Sequence, residues 1–102
     1  MKQYIKATEE YDPEAAFSAD SSTRRKIARS TNSQELLEVY RYDPDTSVRN
    51  MLARNVNAPI ELLQAIIDDP NISTTVKYEA EKTLKYKEII NRHTASLENS
   101  EE

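Results

Sequence analysis

The 102-residue sequence predicts an all-α fold on three observations. Glycine, which tight β-hairpin turns favour, is absent. Four prolines stand at positions 13, 44, 59 and 70, each where a helix could begin or has just ended. Between these brackets apolar residues recur at three- and four-residue intervals, and few segments alternate as strands do. The length suits one domain. An apolar content of 37% beside 31% charged residues suits a thin, elongated body rather than a thick sphere.

Taken in order, Pro13 to Phe17 is a short, incomplete helical unit. Residues 22–30 carry Ile27, and 33–42 carry Leu36, Leu37 and Tyr40. Val48 and Leu52 mark 47–55, while Leu62, Leu63 and Ile66 mark 59–68. Burial is expected for Leu62 and Leu63, and exposure for Glu61 and Gln64, because adjacent leucines can bridge two neighbouring helices. The longest segment, 73–91, sets Val76, Ala80 and Leu84 on one face with Lys77, Glu81, Lys85 and Glu88 off it. It reads as a capping helix. Helix starts are signalled by Asn32 with Glu35 at capping-box spacing, by Asn57 before Ala58-Pro59, and by Ser73. The helical domain is thus placed at 1–92, and 93–102, without periodicity, reads as a disordered acidic tail.

The chain also repeats itself. Thr23-Arg24-Arg25-Lys26-Ile27-Ala28-Arg29 aligns with Val48-Arg49-Asn50-Met51-Leu52-Ala53-Arg54 at an offset of 25. Glu35-Leu36-Leu37 aligns with Glu61-Leu62-Leu63, and Asp43-Pro44 with Asp69-Pro70, at an offset of 26. A third copy starts at Val76-Lys77 and places Lys82 where the others have Arg29 and Arg54. Self-similarity at this period signals stacked helical units.

The unit Asp43-Pro44-Asp45-Thr46-Ser47-Val48-Arg49, then Leu52-Ala53-Arg54-Asn55 and Ala58-Pro59-Ile60-Glu61-Leu62-Leu63, resembles the leucine-rich repeat variant, a family similar in style to HEAT repeats. The resemblance covers about residues 13–82 and is best over 43–70. It implies a short right-handed α-solenoid of about two and a half to three HEAT-like helix pairs. In that family one helix of each pair can be 3₁₀, so 47–55 is open to either form. The family's iron–sulfur association depends on cysteines, which this chain lacks, and is not carried over.

Absent residue types remove whole classes of chemistry. Without cysteine there is no thiolate nucleophile, cysteine-type zinc finger or disulfide framework. Without glycine there is no P-loop, dinucleotide-binding turn, nucleophile elbow or EF-hand loop of the usual kind. The single histidine, His93, has no neighbouring relay in sequence. Asp68-Asp69-Pro70-Asn71 and Asp43-Pro44-Asp45 suit turns and helix caps better than a metal. A non-enzymatic protein without cofactor or metal is expected. No apolar run suits a signal peptide or a membrane span, so the expectation is a cytoplasmic protein with no membrane association.

The net charge of −4 hides an asymmetry. Residues 21–54 hold seven basic and four acidic residues, whereas both flanks are acidic. With Thr23 and Ile27, and their equivalents Val48 and Leu52, on the core stripe of a helix wheel, Arg24 and Arg49 border the core. The resemblance to HEAT-like stacks implies that an aspartate of the preceding turn, here Asp43 or Asp45 for Arg49, pairs with such an arginine as a structural ladder. Arg25 and Arg29 face away, with Arg54 and Lys82 at equivalent places in later repeats, and this row is the candidate partner-binding site. The reading is a protein-binding module, an adaptor or inhibitor of a larger protein with an acidic surface. A nucleic-acid-binding repeat using residues 24–54 is the alternative, opposed by a pI near 5.1. Tyr40, Tyr42, Tyr78 and Tyr86 fit either the core or an interface rim. Residues 1–19, with Tyr4, Ile5 and Phe17, offer no guard to the first helix, so a homodimer through the N-terminal face is also expected.

Overall fold

The computed structural model describes residues 11–100, with side chains described for 11–94. Six helices and no strand occur among the described residues: α1 Pro13–Ala16, α2 Ser21–Ser30, α3 Gln34–Arg41, α4 Thr46–Ala53, α5 Ile60–Asp68 and α6 Thr74–Ser100. The even helices pack in succession, α2 on α4 and α4 on α6. Each odd helix lies against the even helix that follows it, and α3 also touches α2. The extents of 52 × 41 × 17 Å match a body about two helix layers thick.

Local chemistry sets the helix starts. Asp12, Asp20 and Asp45 accept from the amides of Glu14, Ser22 and Ser47, and Ser33 accepts from Leu36, so four of the helices begin on a side-chain cap. Ser73 Oγ takes the amide of Val76 at 3.4 Å. The cap of α3 is therefore Ser33 rather than Asn32, and Glu35 accepts from Tyr11 Oη at 3.3 Å. Asn57 does not cap α5, which starts at Pro59 with no side-chain cap. Residues 46–53 are α-helical, which closes the choice left open for 47–55.

Helix ends pose a different problem. Helices commonly end on a left-handed residue, usually glycine, whose amide satisfies the last carbonyls. This chain has no glycine, and no described residue has a positive φ. At the ends of α2 and α4 leftover carbonyls are met by side chains of the next unit, whereas α3 closes on its own backbone, Tyr42 N and Asp43 N donating to Val39 O and Tyr40 O. Asn55 Nδ2 donates to the carbonyls of Ala28 at 2.9 Å and Thr31 at 2.8 Å, at the end of α2. Asn57 Nδ2 donates to Ser30 O at 3.1 Å. At the end of α4, Thr83 Oγ1 donates to Ala53 O at 2.6 Å and Lys87 Nζ to Val56 O at 2.7 Å. Asn55 and Thr83 thus do the same work at successive joints, and both are buried.

The core is made of Ala16, Ala28, Leu36, Leu37, Tyr40, Val48, Leu52, Ala53, Ala58, Leu62, Leu63, Ile66, Val76 and Ala80. Leu62 and Leu63 are buried while Glu61 and Gln64 are exposed, as their spacing predicts. Of Tyr40, Tyr42, Tyr78 and Tyr86 only Tyr40 enters the core, where its hydroxyl donates to Ala16 O at 3.0 Å. The buried side of α2 differs from the wheel. Ala28 is fully buried, whereas Thr23 and Ile27 are only partly so, because the small Ala28 admits Asn55 and Arg24 turns inward to Asp43.

The last helix is longer than its sequence suggested. It runs to Ser100, so the expectation of a disordered tail over 93–102 is corrected as far as that residue. Neither proline nor glycine follows position 70, and nothing between 92 and 100 removes a helical hydrogen bond. The expected N-terminal docking face falls largely on residues 1–10, which lie outside the described residues. Phe17, at its edge, is exposed.

Candidate interaction surface

The structural arginines arise from one local motif used twice. In the turn before α2, Ser18 Oγ accepts from Asp20 N, and Arg24 Nη1 donates back to Ser18 O at 2.6 Å. Before α4, Asp43 Oδ1 accepts from Asp45 N, and Arg49 Nη1 donates back to Asp43 O. Each guanidinium thereby staples its helix to the preceding turn. Arg24 does more. Its Nε and Nη2 grip Asp43 Oδ2 and Oδ1 at 2.9 and 3.2 Å, a two-pronged ion pair that ties α2 to the turn before α4. Asp43's hydrogen bonds hold the Arg24 guanidinium above its ordinary pKa.

The pairing expected for Arg49 differs from the one found. Asp43 spends its carboxylate on Arg24, and Asp45 spends its own on Ser47. Hydrogen bonds from the Ser47 hydroxyl and then its amide hold Asp45 below the ordinary carboxylate range, with Ser21 and Arg25 adding smaller pulls. Arg49 Nη2 takes Thr46 Oγ1 at 2.8 Å, and its Nε is buried without a partner. Asp69, the repeat counterpart of Asp43, accepts instead from Asn71 N at 2.8 Å. The ladder has one closed rung and one open one.

The four cations of the outward row separate into two pairs. Arg25 is half-buried, and its Nη1 bridges Ser21 Oγ and Ser47 Oγ, each at 3.2 Å, across α2 and α4. It does not simply face away: once α2 is turned toward Ala28, Arg25 lies on the flank next to α4. Arg29 is exposed. With Ser22, Arg25, Lys26 and Met51 it walls a hollow of about 480 Å³ that no carboxylate lines. Neither Lys26 nor Arg29 forms an ion pair among the described residues. Arg54 and Lys82 lie further along and share one acid, Glu79, at 3.9 and 3.4 Å. Lys82 Nζ also stands 4.9 Å above the Tyr78 ring.

In the acidic turn after α5, Asp68 accepts from Gln64 Nε2 at 3.2 Å and Asp69 from Asn71 N at 2.8 Å. Among the described residues no cluster of three or more potential ligands is placed to hold a metal ion. His93 is exposed on α6. No described helix is long and apolar enough to cross a membrane. Comparison of the chain with protein-family models, curated proteins and solved structures finds no match.

The clamps that join successive helices were not foreseen in the sequence, where Asn55 figures only as a member of the repeat unit and Thr83 not at all. A signal was present. Asn55 directly follows the repeated Ala-Arg pair, and Thr83 stands 28 residues later, the same offset that relates Arg54 to Lys82.

Proposed function

We propose that the chain is a non-enzymatic protein-binding module, built as a short HEAT-like α-solenoid, which docks an acidic segment of a larger protein on the face shared by α2 and α4. The observation that carries this reading is the hollow between Arg25, Lys26, Arg29 and Met51. Three cations lie within about one helical turn, two of them unpaired among the described residues, and the Met51 side chain gives the hollow an apolar floor. An acidic side chain with an apolar neighbour meets both needs. Arg54 and Lys82 have a smaller share in this site, because they lie outside the hollow and share the single carboxylate of Glu79, which balances only one of their two charges. The stacking of α2, α4 and α6, with matching clamps at Asn55 and Thr83, supports the solenoid and the likeness to the leucine-rich repeat variant.

The test uses Lys26→Glu combined with Arg29→Glu, two exposed positions whose reversal leaves the unfolding midpoint unchanged. Fluorescence anisotropy then follows a Glu/Leu-containing peptide and a single-stranded oligonucleotide at two salt concentrations. Peptide binding that the double variant abolishes supports the proposal. Tighter binding of the oligonucleotide, with a steep salt dependence, would assign the face to nucleic acid instead.

A further inference from the structure

We infer that the outer face of α6 docks an amphipathic α-helix of another protein, which sets apolar side chains on Tyr78, Tyr86 and Ile89 and a carboxylate on Lys82. This face is distinct from the α2–α4 hollow and does not depend on it. Tyr78, Tyr86, Ile89 and Ile90 are 58, 54, 48 and 43% exposed, yet they follow one side of a single helix for about 18 Å. Clustered apolar exposure of this kind marks a contact surface rather than ordinary scatter. Tyr86 and Ile90 also form one wall of a groove of about 420 Å³ whose other side is Val56, Pro59 and Ile60.

That the occupant is a helix follows from the way the chain stacks. The even helices cover one another in turn, α4 over α2 and α6 over α4. When α6 covers α4, its Glu79 meets Arg54 at the end of α4. Lys82 is the repeat counterpart of Arg54, 28 residues on, so it marks the side of α6 where the next helix in such a stack would lie. A carboxylate on that helix would meet Lys82 as Glu79 meets Arg54.

Charge selects a foreign helix over a second copy. Lys82, Lys85 and Arg92 are exposed along the edge of the stripe. Glu81 and Glu88 stand near them, but residues 74–94 carry five basic and three acidic side chains, so a two-fold pairing would set a surface with an excess of cations against itself. An acidic amphipathic helix neutralises them.

The full chain is titrated into two fluorescent synthetic helices that share a leucine face and differ only in carrying Glu or Lys beside it. The Glu helix is expected to bind at least about tenfold more tightly than the Lys helix, and Lys82→Glu to remove that preference. Ile89→Asp is expected to abolish binding of either, with helicity checked by circular dichroism. Tyr78→Ser, on the same stripe, serves if that variant loses helix. Equal binding of the two helices, or indifference to both stripe variants, overturns the inference. A dimer in sedimentation equilibrium that Ile89→Asp dissociates also overturns it, by giving the face to a second copy.

Discussion

Replacing Asn55 by leucine tests whether the units are joined by side-chain clamps or only by apolar packing. Asn55 has no exposed surface, and it makes two donations, to Ala28 O and Thr31 O, and one acceptance, from Asn57 N at 2.7 Å. Leucine has nearly the same shape and can make none of these. The Ala28 carbonyl lies in the last turn of a helix with no glycine cap, so it loses its side-chain donor inside the core. Thr31 O keeps a weaker alternative, Asn57 Nδ2 at 3.5 Å. A buried polar group left unsatisfied costs about 1–3 kcal/mol, so one full loss, one partial loss and an unpaired amide put Asn55→Leu at roughly 2–5 kcal/mol. A domain of this size is stable by about 5–15 kcal/mol, so the change removes a large share of the total. Urea unfolding followed by circular dichroism reads it as a drop in midpoint of about 0.7–5 M, given a slope of roughly 1–3 kcal/mol per M. Thr83→Val provides the graded control. Thr83 gives Ala53 O one hydrogen bond, and its second acceptor, Glu79 O, lies within α6, so the loss should be about 1–2 kcal/mol. If Asn55→Leu unfolds within about 0.5 kcal/mol of the parent chain, water or backbone adjustment satisfies the carbonyls and the clamp argument fails.

Leu63→Ala, at a fully buried site, should cost about 2–5 kcal/mol by the same urea assay, with an unchanged midpoint removing Leu63 from the core. Arg24→Gln should lower the midpoint more than Arg49→Gln, because only Arg24 crosses to the next unit through a two-pronged ion pair while Arg49 acts within its own turn. Asp45 gives a pH signature: its carboxylate pKa is lowered on folding, so its contribution is complete above the ordinary value of about 4 and is lost as pH falls through the lower folded value. The midpoint difference between the parent chain and Asp45→Asn should therefore be largest near neutrality and shrink in acid, and a difference independent of pH would show that the charged form is not what caps α4.

Much of the fold was legible because its signals are local. The starts of α2, α3, α4 and α5 fall within about one residue of the spacing-based boundaries, since proline brackets and cap residues act on their own backbone. Leu62 beside Leu63 revealed its burial for the same reason. The wheel for α2 failed because it ranks faces by apolar content, whereas that helix buries an alanine and an arginine. Arg24 reads as a border residue until Asp43, 19 positions away, draws it inward. Of the outward row Arg29, Arg54 and Lys82 are exposed while Arg25 is half-buried between α2 and α4, and which acids lie near them is a matter of neighbours on other helices. Glu79 reaches two of the four, and no wheel drawn on one helix shows that.

By itself the sequence determined the helical class, most helix starts and the absence of thiolate chemistry, because missing glycine and cysteine and the reach of a cap or a proline act without tertiary contact. Only the tertiary structure decided how the units are joined and which surface groups stay unsatisfied. Those outcomes depend on pairs such as Asn55 with Ala28 and Thr83 with Ala53, 27 and 30 residues apart, whose meeting is fixed by the stacking of whole helices. With no glycine to close them, the ends of α2 and α4 leave carbonyls for the next unit to satisfy, and the hydrogen bonds that close these two helices also hold their neighbours in place.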